Sequence, residues 1–243
     1  MVYDIAGLRV KIENQYAYTD KFCQAYLSKD QLSPADIIAQ VTEEEFAAEK
    51  SLSPQFSDGY IENICLYRSI CNQMPSFGRI LLHCSVIEYE GNAYAFLGKS
   101  GTGKSTHTKL WMKYLPKVSV VNGDKPILAY TNGVFTAYGT PWMGKEGWGT
   151  NTKAPLKGLC FLEQAKVNAV RRLSLSEITQ RLFLQILIPQ DEDNAIFTLD
   201  LADKMVREVP AYLLQCDISM EAVKKSFEIM TGCSFEEKKK ILD

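Results

Sequence analysis

No stretch of the sequence approaches the ~18 consecutive apolar residues that a bilayer-spanning helix needs. Leu182 to Ile188 comes nearest, and it is short and interrupted by Gln185. The opening Met1-Val2-Tyr3-Asp4 has neither the basic segment nor the apolar core of a secretory leader. These absences set the expectation of a cytoplasmic protein with no membrane partner. Excess basic charge is also missing: 27 Lys and Arg face 29 Asp and Glu, a net charge of -2, which argues against a broad nucleic-acid surface. The one basic run, Lys238-Lys239-Lys240 after Glu236-Glu237, reads as a solvated helix face. Seven cysteines occur without a C-x-x-C pair, so they read as reduced residues inside apolar patterns rather than as a disulfide or metal framework. There is no internal repeat and no low-complexity segment.

What the sequence does contain is Gly98-Lys99-Ser100-Gly101-Thr102-Gly103-Lys104-Ser105, which satisfies every fixed position of the phosphate-loop pattern G-x-x-x-x-G-K-[ST]. At ordinary residue frequencies a chance match in a chain of this length has a probability of about 0.01. The flanks suit the motif: Ala93 to Leu97 reads as a buried strand and Thr106 to Tyr114 as a helix. Glycines let the backbone curl so that successive N–H groups converge on an anion. Gly98, Ser100, Gly101, Thr102, Gly103, Lys104, Ser105 and Thr106 therefore form the expected nucleotide-binding set. Lys104 would reach the β- and γ-phosphates, and Ser105 would offer its hydroxyl to Mg²⁺ at the positive end of the helix. The expected ligand is a nucleoside triphosphate, ATP or GTP, with Mg²⁺.

With 243 residues and 46% hydrophobic composition, the chain is long enough for one large domain with a small appendage. Alternation over Ile5 to Ile12 predicts a strand, and Ile37-Ile38-Ala39 a second short one. Thr42 and Glu45 have capping-box spacing, so a helix starts there and ends before Ser51-Leu52-Ser53-Pro54, the best candidate boundary. Residues 1–57 form the expected N-terminal α/β appendage, a lid, an oligomer contact or a substrate reader, and 58–243 the nucleotide-binding domain. A homo-oligomer stays open.

From Gly59 the apolar spacing predicts a helix stopping near Pro75. Ile80 to Tyr89 reads as one long strand that turns at Glu90-Gly91-Asn92 and pairs antiparallel with Ala93 to Leu97. Val118 to Val121 reads as a strand ending in Asn122-Gly123-Asp124, and Thr131-Asn132-Gly133 closes a second hairpin between Pro126 and Tyr138. Such hairpins argue against a doubly wound parallel sheet, in which each strand is followed by a crossover helix. Gly139 to Thr152 holds four glycines and no periodicity, the signature of a functional loop. Strands over Leu156–Leu162 and Ala165–Leu173, helices over Leu175–Ile188 and Phe197–Arg207, a strand over Ala211–Cys216 and a helix over Met220–Met230 complete the domain.

Asp124 stands at the carboxyl end of the strand after the loop helix, where α/β sheets present ligand-binding groups. It is either a metal ligand or proton acceptor, or a turn aspartate bonded to its own backbone. His83 is either a core histidine or part of the phosphate site, and His107 reads as structural. At most one of Arg171 and Arg172 can face a phosphate, since neighbours on a strand point oppositely, and salt bridging is the alternative. Trp142, Trp148 and Lys145 either clamp a ligand or pack.

Leu82-His83-Cys84, the phosphate loop and Val120-Val121-Asn122-Gly123-Asp124 together resemble the catalytic domain of the HPr kinase/phosphorylase family and, more distantly, ATP-dependent phosphoenolpyruvate carboxykinase. The resemblance covers roughly Gly78 to Glu163. Gly139-Thr140-Pro141-Trp142, Ala154-Pro155-Leu156-Lys157 and Cys160-Phe161-Leu162-Glu163 look like uncharacterised HPr-kinase-like proteins rather than true HPr kinases. It implies an α/β phosphate-loop domain with a mixed, largely antiparallel sheet, and a catalytic set of Asp124, Lys104 and His83 with Ser105 and Asp124 as metal ligands. True family members carry two adjacent acids where this chain has Gly123-Asp124, so the base is Asp124 itself or an acid from elsewhere such as Glu146. The implied activity is Mg-ATP-dependent transfer of the γ-phosphoryl group to a hydroxyl, first of all a serine of a protein or peptide. The competing readings are a non-catalytic nucleotide-binding module and a small-molecule phosphate-loop kinase.

Overall fold

In the computed structural model, which describes residues 1–240, the strand expected over Ile5 to Ile12 is shorter and forms the second arm of a hairpin whose first arm ends at Ile5. β1 (Val2–Ile5) and β2 (Leu8–Ile12) pair antiparallel because Ala6 and Gly7, at φ 51° and 75°, reverse the chain between them. α1 (Ala17–Phe22) follows, and β3 (Ile37–Ala39) joins β2 in parallel. α2 (Glu43–Leu52) opens on the predicted capping box: Glu45 N donates to Thr42 Oγ1 at 3.2 Å and Thr42 N to Glu45 Oε2 at 2.9 Å. α3 (Asp58–Gln73) lays Leu66, Tyr67, Ile70 and Cys71 on this small sheet, in a core that also takes in Leu81, Ile127 and Trp142 from farther along the chain.

The second sheet begins with β4 (Arg79–Leu81) and β5 (Cys84–Tyr89), where one strand over Ile80–Tyr89 is predicted. The chain breaks at Leu82-His83 because β4 pairs with a different neighbour from β5, and between them His83 N bonds the carbonyl of Gln185 at 2.8 Å. β6 (Asn92–Leu97) closes the predicted hairpin with β5 and leads through the phosphate loop into α4 (Lys104–Tyr114). β7 (Ser119–Asn122), β8 (Ile127–Thr131) and β9 (Val134–Tyr138) follow, with the second hairpin between β8 and β9. β10 (Lys153–Gln164) is the long central strand. Its first residues pair with β9, its middle runs parallel to β6, and its end runs parallel to a later strand, Ala211–Cys216.

β11 (Ala169–Arg172) is shorter than predicted, and α5 (Leu175–Leu182) stops well before Ile188. The helical spacing continues to Pro189, but Ile186 is drawn out to bridge Leu82 and Gln185 to hold His83. α6 (Glu192–Glu208) starts earlier than its apolar pattern suggests, because Asp191 caps it by accepting from Asn194 N at 2.9 Å. β12 (Ala211–Cys216), α7 (Met220–Thr231) and the single turn α8 (Phe235–Lys238) complete the chain. The large sheet runs β4-β8-β9-β10-β6-β5-β7, with β12 on β10 and β11 on β12. It is mixed: β10 is parallel to β6 and β12, and the other pairs are antiparallel.

One apolar cluster, including Val86, Ala95, Leu159, Leu213, Leu182 and Met205, fills the space between the large sheet and α5–α6. Another, including Phe96, Trp111, Leu214 and Phe227, packs the opposite face against α4 and α7. The architecture is therefore α/β with a mixed sheet covered by helices on both faces. All seven cysteines are free thiols, five of them buried, and no helix of the described residues is long and apolar enough to cross a membrane.

Candidate active site

The phosphate loop leaves β6 at its carboxyl end, and Gly103, at φ 104°, delivers the chain into α4. Thr42, Ser57, Ser174, Asp191 and Ser219 cap α2, α3, α5, α6 and α7 with side-chain oxygens, whereas α4 starts without a side-chain cap. Its first-turn amides have no intrahelical acceptor, and they carry the positive end of the helix dipole. Lys104 folds back over the loop and donates from Nζ to the Gly98 carbonyl at 2.9 Å. Burial lowers the pKa of its ammonium, with the charge of Asp124 opposing the shift. Thr102 Oγ1 donates to the Lys99 carbonyl at 2.8 Å, and Gln164 at the end of β10 donates from Nε2 to the Gly101 carbonyl at 3.0 Å, bracing the loop from both sides.

Opposite the loop, β7 ends in a turn organised by Asn122 rather than by Asp124. The buried Asn122 accepts at Oδ1 from Asp124 N (2.9 Å) and Lys125 N (2.7 Å), an Asx turn. Its Nδ2 donates to Thr140 Oγ1 at 3.0 Å and to the carbonyls of Thr140 and Trp142. With the turn bonds made by its neighbour, the Asp124 carboxylate is free to meet His83, whose Nε2 lies 3.2 Å from Oδ1. That hydrogen bond is the main reason the Asp124 carboxyl is held below its ordinary pKa; the positive charges of Lys125 and Lys104 add to it, and burial works against it. Asp124 is thus ionised at neutral pH.

Ser100, Gly101, Gly103, Lys104, Ser105 and Thr106 wall one side of a cleft of about 480 Å³, and His83 and Asp124 lie across it. The cleft therefore brings together most of the predicted set. Gly98 sits beneath the loop as the acceptor for Lys104, and Thr102 faces a second cavity on the other side. Lys145 and Glu146 reach the cleft from the glycine-rich loop, with Glu146 Oε2 3.6 Å from Lys109 Nζ. This loop runs along the edge of β7, where Gly123 N donates to the Trp148 carbonyl at 2.8 Å and Thr150 N to the Val121 carbonyl at 3.2 Å. It approaches so closely at Gly144, φ 73°, that a Cβ there would lie 2.7 Å from the Cβ of Asp124. Asn122 and Gly144 are the site residues missed by sequence reasoning. The signal for Asn122 is its place two residues before Asp124 in an Asn-Gly turn; nothing local marks Gly144 among four loop glycines.

The remaining candidates fall outside the cleft. Arg171 pairs with Glu177 at 2.5 Å, the salt-bridge alternative, and neither it nor Arg172 lines the cleft. Trp142 packs on Tyr67 with ring centroids 4.6 Å apart, while Trp148 lies under Lys109. His107 is buried, with Nε2 2.9 Å from Ser226 Oγ, and desolvation lowers its pKa to about 3. Among the described residues no group of three or more His, Cys, Asp or Glu could hold a metal. One hydroxyl and one carboxylate suit Mg²⁺ that arrives with phosphate oxygens completing its shell.

No protein-family model matches the chain, and no curated protein matches it in sequence.

Proposed function

We propose that this protein is a Mg²⁺-dependent kinase that transfers the γ-phosphoryl group of ATP or GTP to a hydroxyl, with a serine of a protein or peptide as the leading acceptor class. The observation that carries the reading is the one cleft in which Lys104 and Ser105 of a phosphate loop face an ionised Asp124 bonded to His83. The antiparallel β5–β6 and β5–β7 pairs beside the loop support an HPr-kinase or phosphoenolpyruvate-carboxykinase type of domain over a parallel-sheet small-molecule kinase. A cytoplasmic location accompanies this reading.

In the mechanism, Lys104 exchanges the Gly98 carbonyl for the β- and γ-phosphate oxygens, and the amides of the loop and the first turn of α4 bind the rest of the chain of phosphates. Ser105 and Asp124 would hold Mg²⁺, which when bound neutralises charge on the phosphate oxygens. The acceptor hydroxyl enters opposite the leaving diphosphate. As its oxygen bonds to phosphorus, the bond to the β-phosphate oxygen breaks, the nucleoside diphosphate leaves, and the hydroxyl proton passes to the Asp124 carboxylate. A carboxylate of low pKa suffices, because the transition state is loose and the proton moves late. His83 is a positioning residue that fixes the carboxylate.

A side chain at Gly123 would place its Cβ 3.2 Å from the Trp148 carbonyl and 3.3 Å from that of Met143, so the glycine-rich loop leaves little room for a second acid. The same single acid favours the non-catalytic nucleotide-binding module as the second reading. Incubation with Mg-[γ-³²P]ATP and panels of serine peptides and small alcohols separates the two. A labelled product that disappears in Lys104→Ala is expected. Lys104-dependent binding with no product from any acceptor establishes the module instead, and absence of nucleotide binding removes both.

A further inference from the structure

A second cavity, of about 630 Å³, lies against the phosphate loop and shares Gly101, Gly103 and Thr106 with the reaction cleft. Its character is different. Leu110 of α4, Ala165 beyond β10, Cys216 at the end of β12 and Ile218 beyond it give it apolar walls. Ile218 is 77% exposed, a large aliphatic side chain with nothing of this chain covering it.

The polar groups around this cavity are mostly engaged. Gln164 Nε2 donates to the Gly101 carbonyl, and the Asp217 carboxylate accepts from Asn168 Nδ2 at 2.8 Å and from Ser219 Oγ. The buried group left incomplete is His107, 2% exposed, which forms part of the wall and whose Nδ1 has no hydrogen-bond partner. A buried nitrogen without a partner is costly unless something completes it.

The two spaces also differ in direction from the loop. Asp124 and His83 stand in the reaction cleft, so the terminal phosphate and the acceptor belong there. A phosphate chain laid along the loop with its γ end toward Asp124 sends its α end, and whatever is attached, the opposite way. The apolar cavity adjoins the cleft at Gly101, Gly103 and Thr106 and has neither His83 nor Asp124 in its lining, so it is the space open to that end.

We propose that this cavity holds the ribose and base of the nucleoside triphosphate, with the base against Leu110 and Ile218 and His107 as the buried polar group of its wall. The inference rests on the phosphoryl-transfer reading, which supplies the direction of the phosphate chain. It locates the nucleoside on residues far apart in sequence, on α4 and at the ends of β10 and β12, rather than in the phosphate motif alone. A pocket of this size with apolar walls and few polar groups is typical of small-molecule sites.

The test is calorimetric titration of the full chain with Mg-ATP, Mg-GTP and Mg-tripolyphosphate. The wild type is expected to bind at least one nucleotide about tenfold or more tightly than tripolyphosphate, from the apolar area the base buries. Ala165→Trp, which fills the cavity, and Ile218→Asp, which charges its rim, should abolish that advantage and leave tripolyphosphate affinity unchanged. Should either substitution disturb folding, photolabelling of the wild type with 8-azido-ATP decides the matter: label on the peptide containing His107–Leu110, Gln164–Lys166 or Cys216–Ile218 supports the site, and label only elsewhere overturns it. Equal affinity for nucleotides and tripolyphosphate in the wild type, or a nucleotide advantage that survives both substitutions, also overturns it. Failure of the phosphoryl-transfer reading looks different: the ligands then bind in a Lys104-dependent way with no labelled product from any acceptor, or do not bind at all.

Discussion

His83 Nε2 lies 3.2 Å from Asp124 Oδ1, joining the break between β4 and β5 to the turn that ends β7. Both residues stand at chain crossings rather than inside strands, so their backbones are held by bonds to other segments. His83 N donates to Gln185, and Cys84 N donates to the Asp124 carbonyl at 3.1 Å. Each side chain is fixed by the other and by its own anchored main chain. Asp124→Asn keeps the size of the group and removes its charge. Transfer is expected to fall by about 10²–10³-fold while the fold is kept, and initial rates beside a thermal melt check both.

The ionisation of Asp124 gives a second prediction. Its folded pKa is depressed, so the stabilisation it brings is present above the ordinary aspartate value of 3.8 and is lost as pH falls through the lower folded value. His83→Gln weakens the largest cause of the depression and should move the titration upward. A ¹³C carboxyl NMR titration of the two proteins measures it, and an unchanged midpoint would show that His83 does not hold the carboxylate.

Lys104→Ala should leave the melting temperature of the free protein nearly unchanged, because the ammonium holds only loop carbonyls, Gly98 at 2.9 Å and Lys99 at 3.5 Å. Mg-nucleotide should raise the melting temperature of the wild type and not that of the variant, following the usual linkage of binding to stability. Lys104→Arg is expected to restore little, since the curled loop fits a compact ammonium rather than a planar fork.

Gly144→Ala tests the close approach of the glycine-rich loop. The added carbon would sit 2.7 Å from the Cβ of Asp124 at a backbone φ of 73°, so the loop must shift. Transfer should drop by about tenfold or more through misplacement of the carboxylate, with a stability loss of about 1 kcal/mol. Undiminished transfer would mean that the loop and Asp124 move independently.

His107 provides a stability prediction remote from the acceptor. It stays neutral when folded down to a pKa of about 3, against 6.5 for the free side chain. Protons therefore bind the unfolded chain first, and stability falls as pH drops from 6.5 toward 3, by about 1.4 kcal/mol per unit for this group. Urea midpoints between pH 6.5 and 5 should show a flatter slope in His107→Gln than in the wild type.

The parts of the fold legible in the sequence are those whose signals are local. The phosphate loop, the capping box of Thr42 and Glu45, and the Asn132-Gly133 hairpin each depend on residues within a few positions of one another. The break at Leu82-His83 and the early end of α5 are not legible, because one is made by the other. His83 N takes the carbonyl of Gln185, and an apolar run that would continue a helix is spent as an extended segment. In the site, Lys104, Ser105 and Asp124 follow from motif and strand end. Asn122 reaches Thr140 and Trp142, and Gly144 reaches Asp124, across about twenty residues that include the whole β8–β9 hairpin, a separation over which no local signal carries information.

Trp142 belongs to the glycine-rich loop but is buried with Tyr67 and the first small sheet, and Asn151 donates to the carbonyl of Ala25 at 3.0 Å. Trimming the chain at the Ser/Pro stretch would strip the mooring from the segment that roofs the acid and bare a greasy flank of α3. A calorimeter should register one concerted melting event for both regions, and shortened recombinant fragments starting near position 58 should clump rather than turn over substrate.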